Sequence, residues 1–161
     1  MVKQDSSLSH APSSRREMVI HVGLMKSGTT SVQDALRFNA AYLRRGDVHF
    51  PDLGQNNQML SFAYLLSNDP IALEMMPDGL HRHLLEIENK LPSLWRDLIA
   101  DISADSAQTV VLSAENLIYA GPKTIKTILE TFGQFSIKGV VTHRLPSQMV
   151  PSNYQQQGRI G

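Results

Sequence analysis

The residues with the most chemistry to offer lie together near the N-terminus, in Val19-Ile20-His21-Val22-Gly23-Leu24-Met25-Lys26-Ser27-Gly28-Thr29-Thr30-Ser31. A short apolar run leads into a segment bounded by Gly23 and Gly28, and hydroxyl side chains follow at once. Read as strand, loop and helix start, this order predicts an anion cradle. Loop and first-turn N–H groups converge on one point, and the helix dipole adds partial positive charge there. Lys26 contributes a full charge, and Ser27, Thr29 and Thr30 contribute hydroxyl donors. The plainer reading is a glycine-containing turn that binds nothing. A lysine, a glycine and hydroxyls converging where a strand ends favour the cradle, and with it a phosphate-bearing ligand.

The position of the lysine separates two ligand classes. The phosphate loop of nucleoside triphosphatases reads G-x-x-x-x-G-K-[ST], with lysine directly after the second glycine. Gly23 and Gly28 keep that glycine spacing, yet Thr29 follows Gly28 and Lys26 lies inside the loop. From there its ammonium leans over a bound phosphate from another direction. Thr30 suits a phosphate oxygen or, in a kinase-like alternative, a Mg²⁺ ion. That alternative also wants an Asp at the end of an apolar strand, and none stands out.

The elements that must position these residues are legible as alternating strand and helix patterns. Residues 18–22 read as a strand and 28–38 as its helix, with Val32, Ala35 and Leu36 on one face. A short helix over 40–45 ends at Gly46, a natural C-cap. Residues 47–50 form a brief strand closed by Pro51, and 57–66 and 80–102 look helical, the latter split by Pro92. The β-rich run 109–113 predicts a buried parallel strand. A helix over 122–132 starts on Pro122, a further strand covers 137–142, and a last helix begins at 152. Strands alternating with helices predict an α/β fold, a P-loop-like three-layer sandwich around a central parallel sheet. Such sheets bind ligands beyond the carboxyl ends of their strands.

Composition sets the outer limits. At 161 residues the chain can bury a sizeable core, and 42% hydrophobic with 19% charged residues is an ordinary globular balance. Fifteen basic and fifteen acidic side chains cancel, which disfavours nucleic-acid binding through bulk electrostatics. With no cysteine, disulfides, zinc–thiolate sites and a thiol nucleophile are excluded. The histidines form no metal-ligand pattern, and His21, inside the first strand, reads as a hydrogen-bonded core residue. No apolar run approaches a membrane span. Residues 1–17 are polar and lack a signal-peptide core, so they read as a disordered tail ahead of a domain over 18–161 in a cytoplasmic protein.

The run Gly23 to Gln33 resembles the 5′-phosphosulfate-binding loop of sulfotransferases that use 3′-phosphoadenosine 5′-phosphosulfate (PAPS), especially the bacterial branch reading H-x-G-x-x-K-T-G-T-T-S-x-Q. Met25 stands where His is frequent and Ser27 where Thr is frequent, the latter keeping its hydroxyl. The resemblance extends to Thr142-His143-Arg144 and to Ser152-Asn153-Tyr154. There the family ends a strand in an arginine and follows it with a serine of an S-x-Y element, both of which bind the 3′-phosphate. It thus implies PAPS as sulfuryl donor, with Lys26, Ser27, Gly28, Thr29, Thr30, Arg144 and Ser152 as cofactor-binding residues. A guanidinium fork and a hydroxyl at a helix start are good phosphate partners.

Sulfuryl transfer needs a base for the acceptor's proton and a cation for charge on the departing phosphate oxygen. Lys26 suits the second role. Glu115 is the first candidate for the base, because Ser113-Ala114-Glu115 resembles the S-S-E of bacterial relatives; Asp52, soon after the second strand, is the other. Each is otherwise a solvated or capping carboxylate. No metal is needed. Gln55-Asn56-Asn57-Gln58 stands where relatives often carry a histidine. The acceptor is left open among small molecules, carbohydrates and lipids.

Family members continue well past the helix in which this chain ends, so the resemblance implies a domain truncated at its C-terminus. A sheet edge left uncovered there would favour self-association. A kinase-like phosphate-binding protein and a non-catalytic sulfotransferase remnant are the alternatives.

Overall fold

The computed structural model describes residues 15–23, 28–51, 68–75, 82, 85–86 and 88–143. The expected helices over 57–66 and from 152 lie outside the described residues. Four strands, β1 (Glu17–Gly23), β2 (Val48–His49), β3 (Thr109–Ser113) and β4 (Ser136–Thr142), form an all-parallel sheet of order β2-β3-β1-β4. Helices α1 (Thr29–Phe38) and α2 (Ala40–Arg45) connect β1 to β2; α3 (Pro70–Met75) and α4 (Leu91–Ala104) lie between β2 and β3; α5 (Pro122–Thr131) leads to β4. The class is α/β, as the alternating pattern predicts.

Strand period two decides which side of the sheet holds the core. Met18 and Ile20 of β1 and Val110 and Leu112 of β3 face Trp95, Leu98 and Ile102 of α4 and Ile128 of α5. Trp95 and Phe132 meet at 5.9 Å between ring centroids, and Phe132 meets Phe135 at 6.4 Å, both inclined as ring quadrupoles prefer. Each such side chain, fully buried, is worth about 1.5–3 kcal/mol. The alternate residues Val19 and His21 face the opposite side, where α1 lies: Gln33 of α1 donates to the Ser113 carbonyl at 3.4 Å.

Local chemistry adjusts several expected boundaries. Strand β1 takes in Glu17, paired to Lys138 of β4, and Arg16 just before it donates to the Ala107 carbonyl at 2.7 Å and lies over the Phe135 ring. Gly46 (φ −90) is the C-cap of α2, as expected, and Asp47 after it takes a left-handed step (φ 61), since a short polar side chain tolerates that region. The second strand is therefore only Val48–His49, and Phe50 and Pro51 are buried beyond it. The helical stretch over 80–102 is split at Pro92, as expected. Helical residues at 82 and 85–86 and a 3-10 turn over Glu88–Lys90 precede α4, and Pro92 falls in its first turn, where its missing N–H costs nothing. The expected apolar face of α1 also differs. Thr29 and Gln33 are its buried residues, Val32 and Leu36 are half-buried and Ala35 is exposed.

Helix α3 was not legible from apolar periodicity, though Asp69-Pro70 is a helix-start signal. Asp69 accepts from the N–H groups of Ile71 and Ala72, and across the chain from the N–H and hydroxyl of Thr124 at the start of α5. At the other side of the core, His49 of β2 lies between Asp101 and Asp105, and Arg44 pairs with Asp105, tying α2 and β2 to α4.

Candidate functional site

Three strand ends meet at the carboxyl edge of the sheet. Gly23 of β1, the last described residue before 24–27, pairs with Thr142 of β4, and His21 pairs with Ser113 of β3. The chain leaves β1 toward β2 on the far side of β3, and leaves β3 toward β4 on the far side of β1. Right-handed crossovers put those connections on opposite faces, which opens a crevice at the carboxyl ends of β1 and β3.

Gly28 enters α1 in the left-handed region (φ 91), and no side-chain hydrogen bond caps the helix there. First-turn N–H groups and the positive end of a helix dipole are the donors an anion uses at such a helix start. Thr30 is exposed beside them, whereas Thr29 is buried, so Thr30 is the better placed of the two hydroxyls for a ligand. A Cβ at Gly28 would touch nothing within 4 Å, so the demand for glycine is conformational alone. Gly28→Ala is expected to lower stability by about 1–2 kcal/mol, read by urea denaturation; an unchanged midpoint would show that the backbone relaxes freely.

Glu115 opens a 3-10 turn, Glu115–Tyr119, directly after β3. Burial, and with it the Glu115 carboxylate, pushes the Tyr119 hydroxyl above its ordinary value, keeping the phenol protonated. Tyr119 is half-buried and packs against the core. Behind this edge His21 is buried and bonded on both ring nitrogens, Nδ1 to Ser113 Oγ at 2.8 Å and Nε2 to Thr142 Oγ1 at 3.0 Å. Burial pushes its imidazole below the ordinary value, so the ring is neutral at pH 7. The reading of His21 as a hydrogen-bonded core residue agrees with these contacts.

Of the candidate residues, Gly28, Thr29, Thr30 and Glu115 are described, and β1 and β3 bring them to one edge of the sheet. Lys26, Ser27, Asp52, Arg144 and Ser152 lie outside the described residues. Tyr119 was missed, and so were the partners of His21, because a lone hydroxyl at a strand end carries no periodic signal. An apolar groove of about 270 Å³ lies on the core side of the sheet, among Ile20, Val22, Leu117, Ile125, Leu129 and Val141. Its lining is apolar, and at Val22, Val141 and Leu117 it reaches the neighbours of Gly23, Thr142 and Glu115. Among the described residues no group of three His, Asp or Glu side chains could hold a metal ion, and no helix is long and apolar enough to cross a membrane. Comparison with protein-family models, with curated proteins and with solved structures found no match.

Proposed function

We propose that this chain is a P-loop-like α/β protein of the PAPS-dependent sulfotransferase type, which binds the sulfuryl donor at the carboxyl edge of its sheet. The observation that carries this reading is the strand register. Gly23, the first residue of the lysine-bearing loop, lies beside Thr142, two residues before Arg144, while Ser113, two residues before Glu115, lies beside His21. The strand ends that precede the lysine, arginine and carboxylate in the chain thus share one edge of adjacent parallel strands. In this reading the first-turn N–H groups of α1, entered through Gly28, bind the 5′-phosphate.

In this reading the acceptor is a hydroxyl or amine of a small molecule, carbohydrate or lipid. Its proton passes to the Glu115 carboxylate as its oxygen or nitrogen bonds to sulfur. The bond from sulfur to the 5′-phosphate oxygen breaks, and the electron pair stays on that oxygen. Lys26 stabilises the charge that develops there. Arg144 and Ser152 hold the 3′-phosphate, and Ser27 and Thr30 with the Gly28 and Thr29 backbone hold the 5′ end.

Calorimetric titration with adenosine 3′,5′-bisphosphate tests this, against ATP with Mg²⁺. Metal-independent bisphosphate binding is expected, weakened about 10–100-fold in Lys26→Ala through loss of a charge-assisted contact. Preference for ATP with Mg²⁺ would instead establish the kinase-like alternative.

A further inference from the structure

We infer that His21 is a positioning residue that sets the spacing of the strand ends that precede Glu115 and Arg144 in the chain, its imidazole spanning β3 and β4 across β1. The inference rests on the sulfotransferase reading for the roles of those two residues, and on geometry for the strut itself. Adjacent strands stand about 4.8 Å apart, and β1 lies between β3 and β4. An imidazole carries polar atoms on opposite edges of a rigid ring, so one side chain on the middle strand reaches both neighbours. Here Nδ1 meets Ser113 Oγ at 2.8 Å and Nε2 meets Thr142 Oγ1 at 3.0 Å. Those partners are 92 and 121 residues away in the chain.

The placement of the bonds gives the strut its purpose. Each partner is the last residue of its strand, and a candidate site residue follows it in the chain. The His21 carbonyl accepts from Ala114 N–H at 2.9 Å, which carries the β1–β3 ladder one residue past Ser113 and up to Glu115. Gln33 of α1 adds a contact to the Ser113 carbonyl, so the helix that begins the anion cradle is tied to the same point. A polar ring at 5% exposure in a parallel sheet is a poor choice for packing alone. A Val or Ile there would fill the space, yet neither would hold two strand ends at a set distance. The neutral ring donates from one nitrogen and accepts at the other, and each hydroxyl can take either part.

The two arms can be separated. Thr142→Val releases the β4 end, and is expected to weaken adenosine 3′,5′-bisphosphate binding about tenfold with little change in turnover. Ser113→Ala releases the β3 end, and is expected to lower turnover about tenfold with the bisphosphate affinity kept. His21→Ala should do both, and His21→Gln, which keeps one bond, should recover part of one. Amide spectra of isotope-labelled protein provide a readout that needs no ligand: in His21→Ala the Glu115 and His143 amides should shift and exchange faster than those of Met18 and Val110. If His21→Ala merely lowers the melting temperature while both strand-end amides stay put, the strut is overturned. If wild type binds no bisphosphate but the amides move as expected, the strut stands and the sulfotransferase reading fails.

Discussion

Asp69→Ala is expected to cost about 3–5 kcal/mol of folding stability, the largest loss from any single polar substitution in the described fold. Asp69 is 1% exposed and joins two helix starts that are far apart in sequence. One carboxylate oxygen accepts from Ile71 and Ala72 N–H at 3.2 and 3.4 Å, and the other from Thr124 N–H and Oγ1, each at 2.8 Å. Truncation would remove the acceptor those donors share. Gly121 is the counterpart in shape, for a Cβ there would overlap the carboxylate. Burial opposes ionisation of Asp69, yet the hydrogen bonds from Thr124, Ala72 and Ile71 together outweigh it and hold the group below its ordinary value. The sign follows by linkage. A carboxylate with a depressed folded pKa contributes stability above its unfolded pKa, near 3.9, and loses it as pH falls through the folded one. Urea midpoints measured across the acid range should therefore fall more steeply for wild type than for Asp69→Ala. Parallel acid limbs would show that the carboxylate is not the ionised bridge described here.

Glu115→Gln is expected to lower turnover about 10²–10⁴-fold, the usual yield of a general base, while adenosine 3′,5′-bisphosphate binds as tightly as to wild type. The substitution keeps the shape of the side chain and removes only its capacity to take a proton. Glu115 begins its own 3-10 turn just past β3, so its backbone is held by elements that the substitution does not touch. Single-turnover transfer of a labelled sulfuryl group to an acceptor, compared between the two proteins, is the measurement. Unaltered turnover would assign the proton to another group, with Asp52 the next candidate. Loss of bisphosphate affinity would instead make Glu115 part of the fold of the site.

Much of what matters was legible along the chain because it is local. An apolar run ending in glycine, a lysine within the loop and hydroxyls at a helix start lie within a few residues of each other, and their pattern needs no distant partner. Pro122 at the first turn of α5 and the continuous β-rich run of β3 announce themselves in the same way. Where expectation and structure part, a non-local contact or a backbone preference decided. Asp47, expected in the second strand, took a left-handed step before it, and α1 buried Thr29 and Gln33 in place of Ala35, because its first turns approach the carboxyl ends of the strands.

The sequence by itself determined the α/β class, since strand and helix periods are properties of neighbouring residues. Only the tertiary structure decided that β1 lies between β3 and β4, which strand ends are neighbours, and who bonds to whom among His21, Ser113 and Thr142. The same holds for Asp69, whose partner Thr124 is 55 residues away. Hydrogen bonds of that reach are chosen by how the whole chain buries its apolar surface, and no spacing along the chain encodes them.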